Sequence, residues 1–342
     1  MSHLLDELRD TLHRLNLVGQ SVLVAVSGGA DSIAMLRALL EVQTACNLRL
    51  QVAHFNHRLR GTESDTDARW LAELCDRLGV VCHLGSADRE DPSSSSGSRE
   101  GDARNLRYQF LERTAIAENC QSIVIAHTAD DQAETVLHRI LRGTGLTGLA
   151  GIPAVRTLES GVNVVRPLLE VNRCDLRDWL REIEQDFRED STNTDRDFTR
   201  NRIRHDLLPL LETQFNPQIK SALCRLAEQA EQTQSVCDVA GREILRESTV
   251  SHTKNSWILD CEQLAKHPVL TIRTCLRLVW TEMRWPQQKM SFQHYTRLQT
   301  AICDPTMRGL ISLPHPVQAK LTRRKRQHHL ELRVNPPSEH AV

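Results

Sequence analysis

Four short runs rich in β-branched residues, SVLVAV (21–26), LRLQVAHF (48–55), GVVCHL (79–84) and SIVIAH (122–127), alternate with amphipathic stretches at 31–43, 65–78, 103–119 and 130–141. This alternation constrains the fold more than any other feature of the chain. Strands joined through helices run parallel, and a parallel sheet needs helices on both faces. The expected class is therefore α/β, with a mainly parallel, Rossmann-like sheet and flanking helices. Residues 3–17 read as an extra amphipathic helix ahead of the first strand. VNVVRPL (162–168) reads as a further strand leading into a helix over 173–185, with Trp179 and Ile183 on one face. Beyond about residue 218 the rhythm stops. Helices are expected at 219–246, 268–284 and 291–303, followed by strands LISLP, VQAKLTR and HLELRV. Asn216 and Pro217 interrupt the helical pattern, so the chain divides into a domain over 1–215 and a smaller, mostly helical domain over 218–335.

Composition enters mainly through what it excludes. No window approaches the roughly 18 consecutive apolar residues of a membrane-spanning helix. The opening MSHLLDELRDTLHRLNL carries acids throughout and lacks the apolar core of a secretory signal, so the expected location is cytoplasmic. The 10 cysteines include no CxxC pair and read as buried thiols, neither a disulfide framework nor a zinc site. The net charge of −1 conceals an asymmetry. Residues 1–210 hold 25 Lys/Arg against 32 Asp/Glu, and residues 211–342 hold 18 against 12. Within 271–330, 11 basic residues face 2 acidic ones, ending in Arg323, Arg324, Lys325 and Arg326. Such a region is either the electrostatic footprint of a polyanion or a solvated basic surface. Trp280 and Trp285, in the same half, read as core residues ahead of stacking platforms, and His328 and His329 as part of a surface strand.

The most informative hexapeptide is Ser27, Gly28, Gly29, Ala30, Asp31, Ser32, directly after the first strand and opening a helix. Paired glycines let backbone N–H groups turn inward as an anion-binding nest, and the helix terminus adds unpaired donors. No lysine follows, so this is not the GxxxxGK[ST] loop, nor is it GxGxxG. An acid beside phosphate repels it unless a metal lies between, so Asp31 implies magnesium. The plainer alternative is a Gly-Gly turn with ordinary first-turn residues.

Downstream, His127, Asp130, Asp131 and Glu134 sit at the end of a strand and the start of the next helix, where ligands of parallel sheets collect. Three acids there also suit a helix dipole. Arg104 and Arg107, three apart beside Tyr108, suit phosphate or surface ion pairs. Arg142 beside Gly143 and Gly145 reads as a mobile loop over substrate or a helix cap. Arg200, Arg202 and Arg204 are spread around a helix, so not all reach one ligand. His54, Asn56 and His57 follow a strand in a substrate-side position, without a third ligand for a metal. The polar stretch 86–101 is expected to be a mobile loop.

Six ordered segments carry a resemblance. SGGADS is similar to the pyrophosphatase-type loop of the ATP-cleaving α/β superfamily that includes GMP, NAD and asparagine synthetases and tRNA-modifying enzymes. HFNHRLRG (54–61), ARNLRYQFL (103–111), AHTADDQAETVLHRILRGTGLTGLAGIP (126–153), VVRPLL (164–169) and STNTDRDFTRNRIRHDLLPLL (191–211) narrow it to the tRNA(Ile)-lysidine synthetase family. The match is close over 1–211 and loose beyond. The chain resembles the family's shorter architecture.

The resemblance implies an adenine nucleotide alpha hydrolase-like catalytic domain and a tRNA-binding second domain. It also implies ATP and Mg²⁺, with L-lysine and a tRNA(Ile) bearing CAU as substrates. Ser27, Gly28, Gly29, Ala30, Asp31, Ser32, Arg104 and Arg107 would bind ATP, and Asp31, Asp130 and Asp131 the metal. Asp31, Arg107, His127, Asp131 and Glu134 would be catalytic. His54, Asn56, His57, Arg142, Arg200, Arg202, Arg323, Arg324, Lys325 and Arg326 would face the tRNA or substrate. A carboxylate or His127 would relay the lysine proton. Oligomeric state stays open, a homodimer included. Three rival readings stand beside it: a tRNA thiolase, which would be expected to show paired cysteines, a small-molecule ligase such as NAD synthetase, which needs no basic second half, and a non-enzymatic RNA-binding module.

Overall fold

The computed structural model describes residues 2–58, 61–87, 99–188, 199–286, 290–314, 316–324 and 327–334. Its chain forms two compact units, residues 1–144 with 148–227 and residues 145–147 with 228–342.

The first unit runs α1 (Ser2–Arg14), β1 (Ser21–Ala25), α2 (Ala30–Val42), β2 (Arg49–Asn56), α3 (Thr62–Leu78), β3 (Cys82–Ser86), α4 (Arg99–Ala117), β4 (Ser122–Ile125) and α5 (Ala129–Leu141). After α6 (Leu146–Leu149), whose first two residues belong to the second unit, it continues with β5 (Val155–Thr157), β6 (Asn163–Val165), α7 (Arg173–Glu182), α8 (Thr199–Arg202), a π-helical turn (Ile203–Leu207) and α9 (Leu208–Gln214). The sheet order is β3-β2-β1-β4-β6-β5. The β2–β3, β1–β2, β1–β4 and β4–β6 pairs are parallel, with β1 and β4 in register from Val22↔Ser122 to Ala25↔Ile125. Strand β5 pairs antiparallel with β6, so the sheet is mixed. The chain leaves β1 toward β2 and β3, then returns to β4 on the other side. Order therefore reverses between β1 and β4, where such sheets open a crevice beyond the carboxyl ends of their strands.

Both faces of the central strand β1 are dry. Val22 and Val24 enter one cluster with Ile33, Leu36, Leu176 and Trp179, which brings α2 and α7 against that face. Leu23, pointing the other way, joins Ile123, Leu111 and Ala115 of β4 and α4. The two-residue period of a strand thus splits β1 between two cores, and truncating one of the leucines or isoleucines to alanine costs about 2–5 kcal/mol.

Helix α10 (Ile219–Ser248) carries the chain onward, and the division of packing falls inside it, between Ala227 and Glu228, and not at Asn216 and Pro217. The second unit contains β7 (Thr249–His252), β8 (Ser256–Asp260), α11 (Cys261–Leu264), α12 (Val269–Glu282), α13 (Phe292–Cys303), β9 (Gly309–Ile311), β10 (Val317–Arg324) and β11 (Gln327–Val334). Its five strands form an antiparallel sheet of order β7-β8-β11-β10-β9, two of them, β7 and β8, absent from the sequence expectation. Trp280 and Trp285 are buried and meet edge to face at 5.1 Å, which makes them core. His328 and His329 are buried too, contrary to the surface strand expected of them. Among the described residues no helix is long and apolar enough to cross a membrane.

Candidate active site

The loop after β1 begins with Gly28 at φ +96°, a left-handed conformation that glycine adopts at no steric cost. Gly29 caps α2 without a side-chain hydrogen bond, leaving first-turn N–H groups open to a ligand. Ser32 braces the turn. Its hydroxyl donates to the Gly29 carbonyl at 2.9 Å, lies 3.2 Å from the Ser27 hydroxyl, and accepts from the Ser27 N–H. Two neighbours fix the loop in place. The His54 Nδ1–H donates to the Val26 carbonyl at 2.8 Å, and the Arg188 N–H donates to the Gly28 carbonyl at 2.9 Å. A cleft of about 380 Å³ lined by Thr62, Glu63, Thr66, Asp67, Phe187 and Arg188 opens alongside.

Helix α5 starts with a capping box. The Thr128 hydroxyl accepts from the Asp131 N–H, and the Asp131 carboxylate accepts from the Thr128 N–H at 3.0 Å. That box aims the second Asp131 oxygen at three arginines: Arg173 at 3.1 Å, Arg200 at 3.2 Å and Arg204 at 3.3 Å. Glu134, one turn on and 1% exposed, accepts from Arg204 at 2.6 Å, Arg200 at 3.1 Å and Arg173 at 3.5 Å. Arg173 also donates to Asp31 at 2.9 Å. The loop after β1 and the helix after β4 thus converge on one guanidinium.

Burial opposes charge on Asp131, but Arg173, the Thr128 N–H, His127 and Arg200 outweigh it and hold the carboxyl below its ordinary range. At Asp31 burial wins over Arg173, and the carboxyl is raised. Arg173 is held above its ordinary value by the acids around it, despite burial.

These acids fit a hard divalent cation such as magnesium, which takes one or two carboxylates and completes its shell from phosphate and water. Asp31 and Asp131 reach a common cation, and the Asp31 Oδ1 is buried with no hydrogen-bond partner. Among the described residues no group of three or more His, Cys, Asp or Glu forms a self-sufficient metal site. Asp130 does not share the convergence expected of it. One of its oxygens accepts the Arg173 backbone N–H, capping α7, and the other meets Lys220 at 3.2 Å.

His127 is half-buried and stays neutral at neutral pH. Burial first, then Arg166, Arg200 and Arg107, depress it to about 4 against the pull of Asp131. Its Nδ1 accepts from the Arg166 Nε–H at 3.0 Å, so the remaining ring proton lies on Nε2 and the imidazole faces the site as a donor.

The other sequence candidates separate. Arg107 is half-buried, its charge disfavoured by burial and by Arg104, and its Nε has no partner. Asn56 donates to Asp65 and accepts from the Arg58 N–H, both at 2.8 Å. His57 packs against Phe55, with burial and Arg107 lowering its basicity. Arg142 is the exposed C-cap of α5, and Arg202 points to solvent while Arg200 and Arg204, four apart, share the acids. Arg323 and Arg324 end β10, and Lys325 and Arg326 lie outside the described residues, as do 88–98 of the polar stretch. Sequence reasoning missed Arg173 and Arg166. Arg173 left a signal, because a cation at the first position of a helix opposes the helix dipole and implies an acid facing it.

Fold and loop together define an α/β nucleotide-binding unit in which phosphate donors and a carboxylate cluster meet at the reversal of strand order. The PP-loop domain profile matches residues 3–211, and the chain belongs to the PP-loop ATP-pyrophosphatase family, whose members are ATP-dependent. It is 36% identical over 321 residues to a tRNA(Ile)-lysidine synthase of Rhodopirellula baltica, covering 83% of this chain and 80% of that one. It is 37% identical over 298 residues to one of Solibacter usitatus, covering 86% of this chain but only 64% of that longer relative. The U34-tRNA thiolase NcsA of Methanococcus maripaludis shares the fold, with a TM-score of 0.56 at 20% identity over 66% of this chain and 77% of that one.

Proposed function

We propose that the protein ligates L-lysine to C2 of the wobble cytidine in a tRNA(Ile) bearing CAU, releasing AMP and pyrophosphate. The observation that carries this reading is the seat of Arg173. Three carboxylates, Asp31, Asp131 and Glu134, surround the cationic end of an alkyl chain, and a lysine substrate likewise carries a positive charge at the end of such a chain. The names of the relatives point the same way.

The C2 oxygen of cytosine is a poor leaving group. It attacks the α-phosphorus of ATP, the bond to pyrophosphate breaks, and the base becomes an adenylate. The lysine ε-amine then forms the C–N bond at C2, and the C–O bond to AMP breaks. The Ser27–Ser32 loop holds the polyphosphate through backbone N–H groups. Magnesium bound at Asp31 and Asp131 would neutralise charge on the departing pyrophosphate. Glu134 and Asp131 hold the lysine. The amine, with an ordinary pKa of about 10.4, must lose its proton before attack. His127, already carrying its proton on Nε2 and reluctant to take a second, serves as a donor, so the proton passes to a carboxylate. Holding lysine and adenylate together removes the entropy of their encounter. The base enters from a single-stranded loop, which costs less than leaving a duplex.

Purified protein incubated with ATP, Mg²⁺, labelled lysine and total tRNA should yield lysidine and AMP in equal amounts. Asp31→Asn, which keeps side-chain volume, should abolish AMP release. Labelled lysine absent from the tRNA nucleosides would overturn the reading.

A further inference from the structure

Tyr108 on α4 is ringed by arginines. The guanidinium carbons of Arg104, Arg107 and Arg156 lie 5.5, 5.7 and 5.5 Å from its ring centroid. Arg166, at the end of β6, is a fourth charge near the ring, and it donates to His127 and to the Pro153 carbonyl at 2.8 Å. No described carboxylate pairs with any of the four, although residues 1–210 carry more acids than bases. Four uncompensated cations in an acidic unit repel one another, and the repulsion is paid in stability unless an anion relieves it. Burial and Arg104 both work against the charge of Arg107, and the arginines draw the Tyr108 hydroxyl below its usual range despite burial.

We propose that Arg104, Arg156 and Arg166 around Tyr108, with Arg107 as the innermost member, form a cradle for single-stranded RNA next to the reacting base. An aromatic face amid guanidinium groups is the chemistry that holds an unstacked nucleotide and its phosphates. Arg104 and Arg156 are exposed at the rim, open to a chain that continues past the site. Arg166 links the cradle to His127, and His127 stands beside Asp131. The Ser27–Ser32 loop supplies donors for the polyphosphate of ATP, so the cradle departs from the ATP role that the resemblance gives Arg104 and Arg107. The identity of the ligand as RNA rests on the function proposed above; the anion site rests on the arginines.

The test measures two affinities on the full chain: a labelled RNA hairpin carrying a CAU loop, across about 50 to 200 mM salt, and ATP. Losing one single-strand phosphate contact lowers the salt slope by about 0.7, which is about fivefold in affinity at 0.1 M salt. Arg156→Gln should show that loss for RNA with ATP binding unchanged, and Arg104→Gln/Arg156→Gln should lose about 25-fold. Arg156→Lys, which keeps the charge on the same strand, should bind RNA nearly as wild type does. Unchanged RNA affinity and slope in the double variant would overturn the cradle, and an equal loss for ATP would assign the cluster to the nucleotide. Arg156-dependent hairpin binding by a wild type that makes no lysidine would uphold the cradle while sinking the proposed reaction.

Discussion

His127 shows how one residue's surroundings set its chemistry. In the unfolded chain it titrates near 6.5, whereas in the fold it is depressed to about 4. Between these values the unfolded state binds the proton and the native state does not. The stabilisation is therefore complete above pH 6.5 and is lost as pH falls toward 4, by about 3 kcal/mol in all. In urea titrations from pH 7 to pH 4.5, His127→Asn, whose amide oxygen can still accept from Arg166, should lose stability less steeply than wild type. Parallel curves would mean that His127 is not held neutral by the fold. The residues around it were unequally legible. Asp31, Asp131 and Glu134 were readable because acids at the start of helices following strands mark a crevice. Arg166 was not, since nothing local distinguishes an arginine after a short strand. The surroundings of Asp130 were not legible for a related reason: spacing places two adjacent acids in one turn, but the start of α7, 43 residues away in sequence, decides which of them serves as its cap.

At the level of elements, the rhythm of strands and helices carried the parallel sheet, whose central strands β1 and β4 are buried on both sides. Where burial fails, so does the signal. Strand β5 has three exposed residues and shows no alternation, and β7 is polar and largely exposed. Strand β3 was readable but begins at Cys82, later than its apolar run suggested. It also contains Gly85, over which the Phe110 ring of α4 lies so closely that an added Cβ would stand 2.5 Å from its edge. Gly85→Ala should therefore overpack the β3–α4 contact and cost about 1–3 kcal/mol. Urea midpoints measure this, and adding Phe110→Leu should recover part of the loss. A neutral Gly85→Ala would mean that Phe110 moves aside freely.

At the level of the molecule, the charge asymmetry motivates a proposal that the second unit binds tRNA, which can be tested apart from chemistry. Replacing Arg323, Arg324, Lys325 and Arg326 with glutamine should weaken tRNA binding and flatten its salt dependence, because fewer counterions are released. ATP affinity should not change. Filter binding at several salt concentrations decides, and equal slopes for variant and wild type would leave this run as a solvated hairpin end. Helix α10 has a practical corollary for anyone dissecting the protein. Its first turns supply Leu223 and Ala227 to the cluster that backs α5 through Ala133, Val136 and Leu137, and Lys220 from the same stretch holds Asp130. Expression trimmed at Pro217, where the sequence invites a cut, removes the wedge behind the very helix that presents Asp131 and Glu134. A soluble catalytic fragment has to run through Ala227 and end in the middle of a continuous helix.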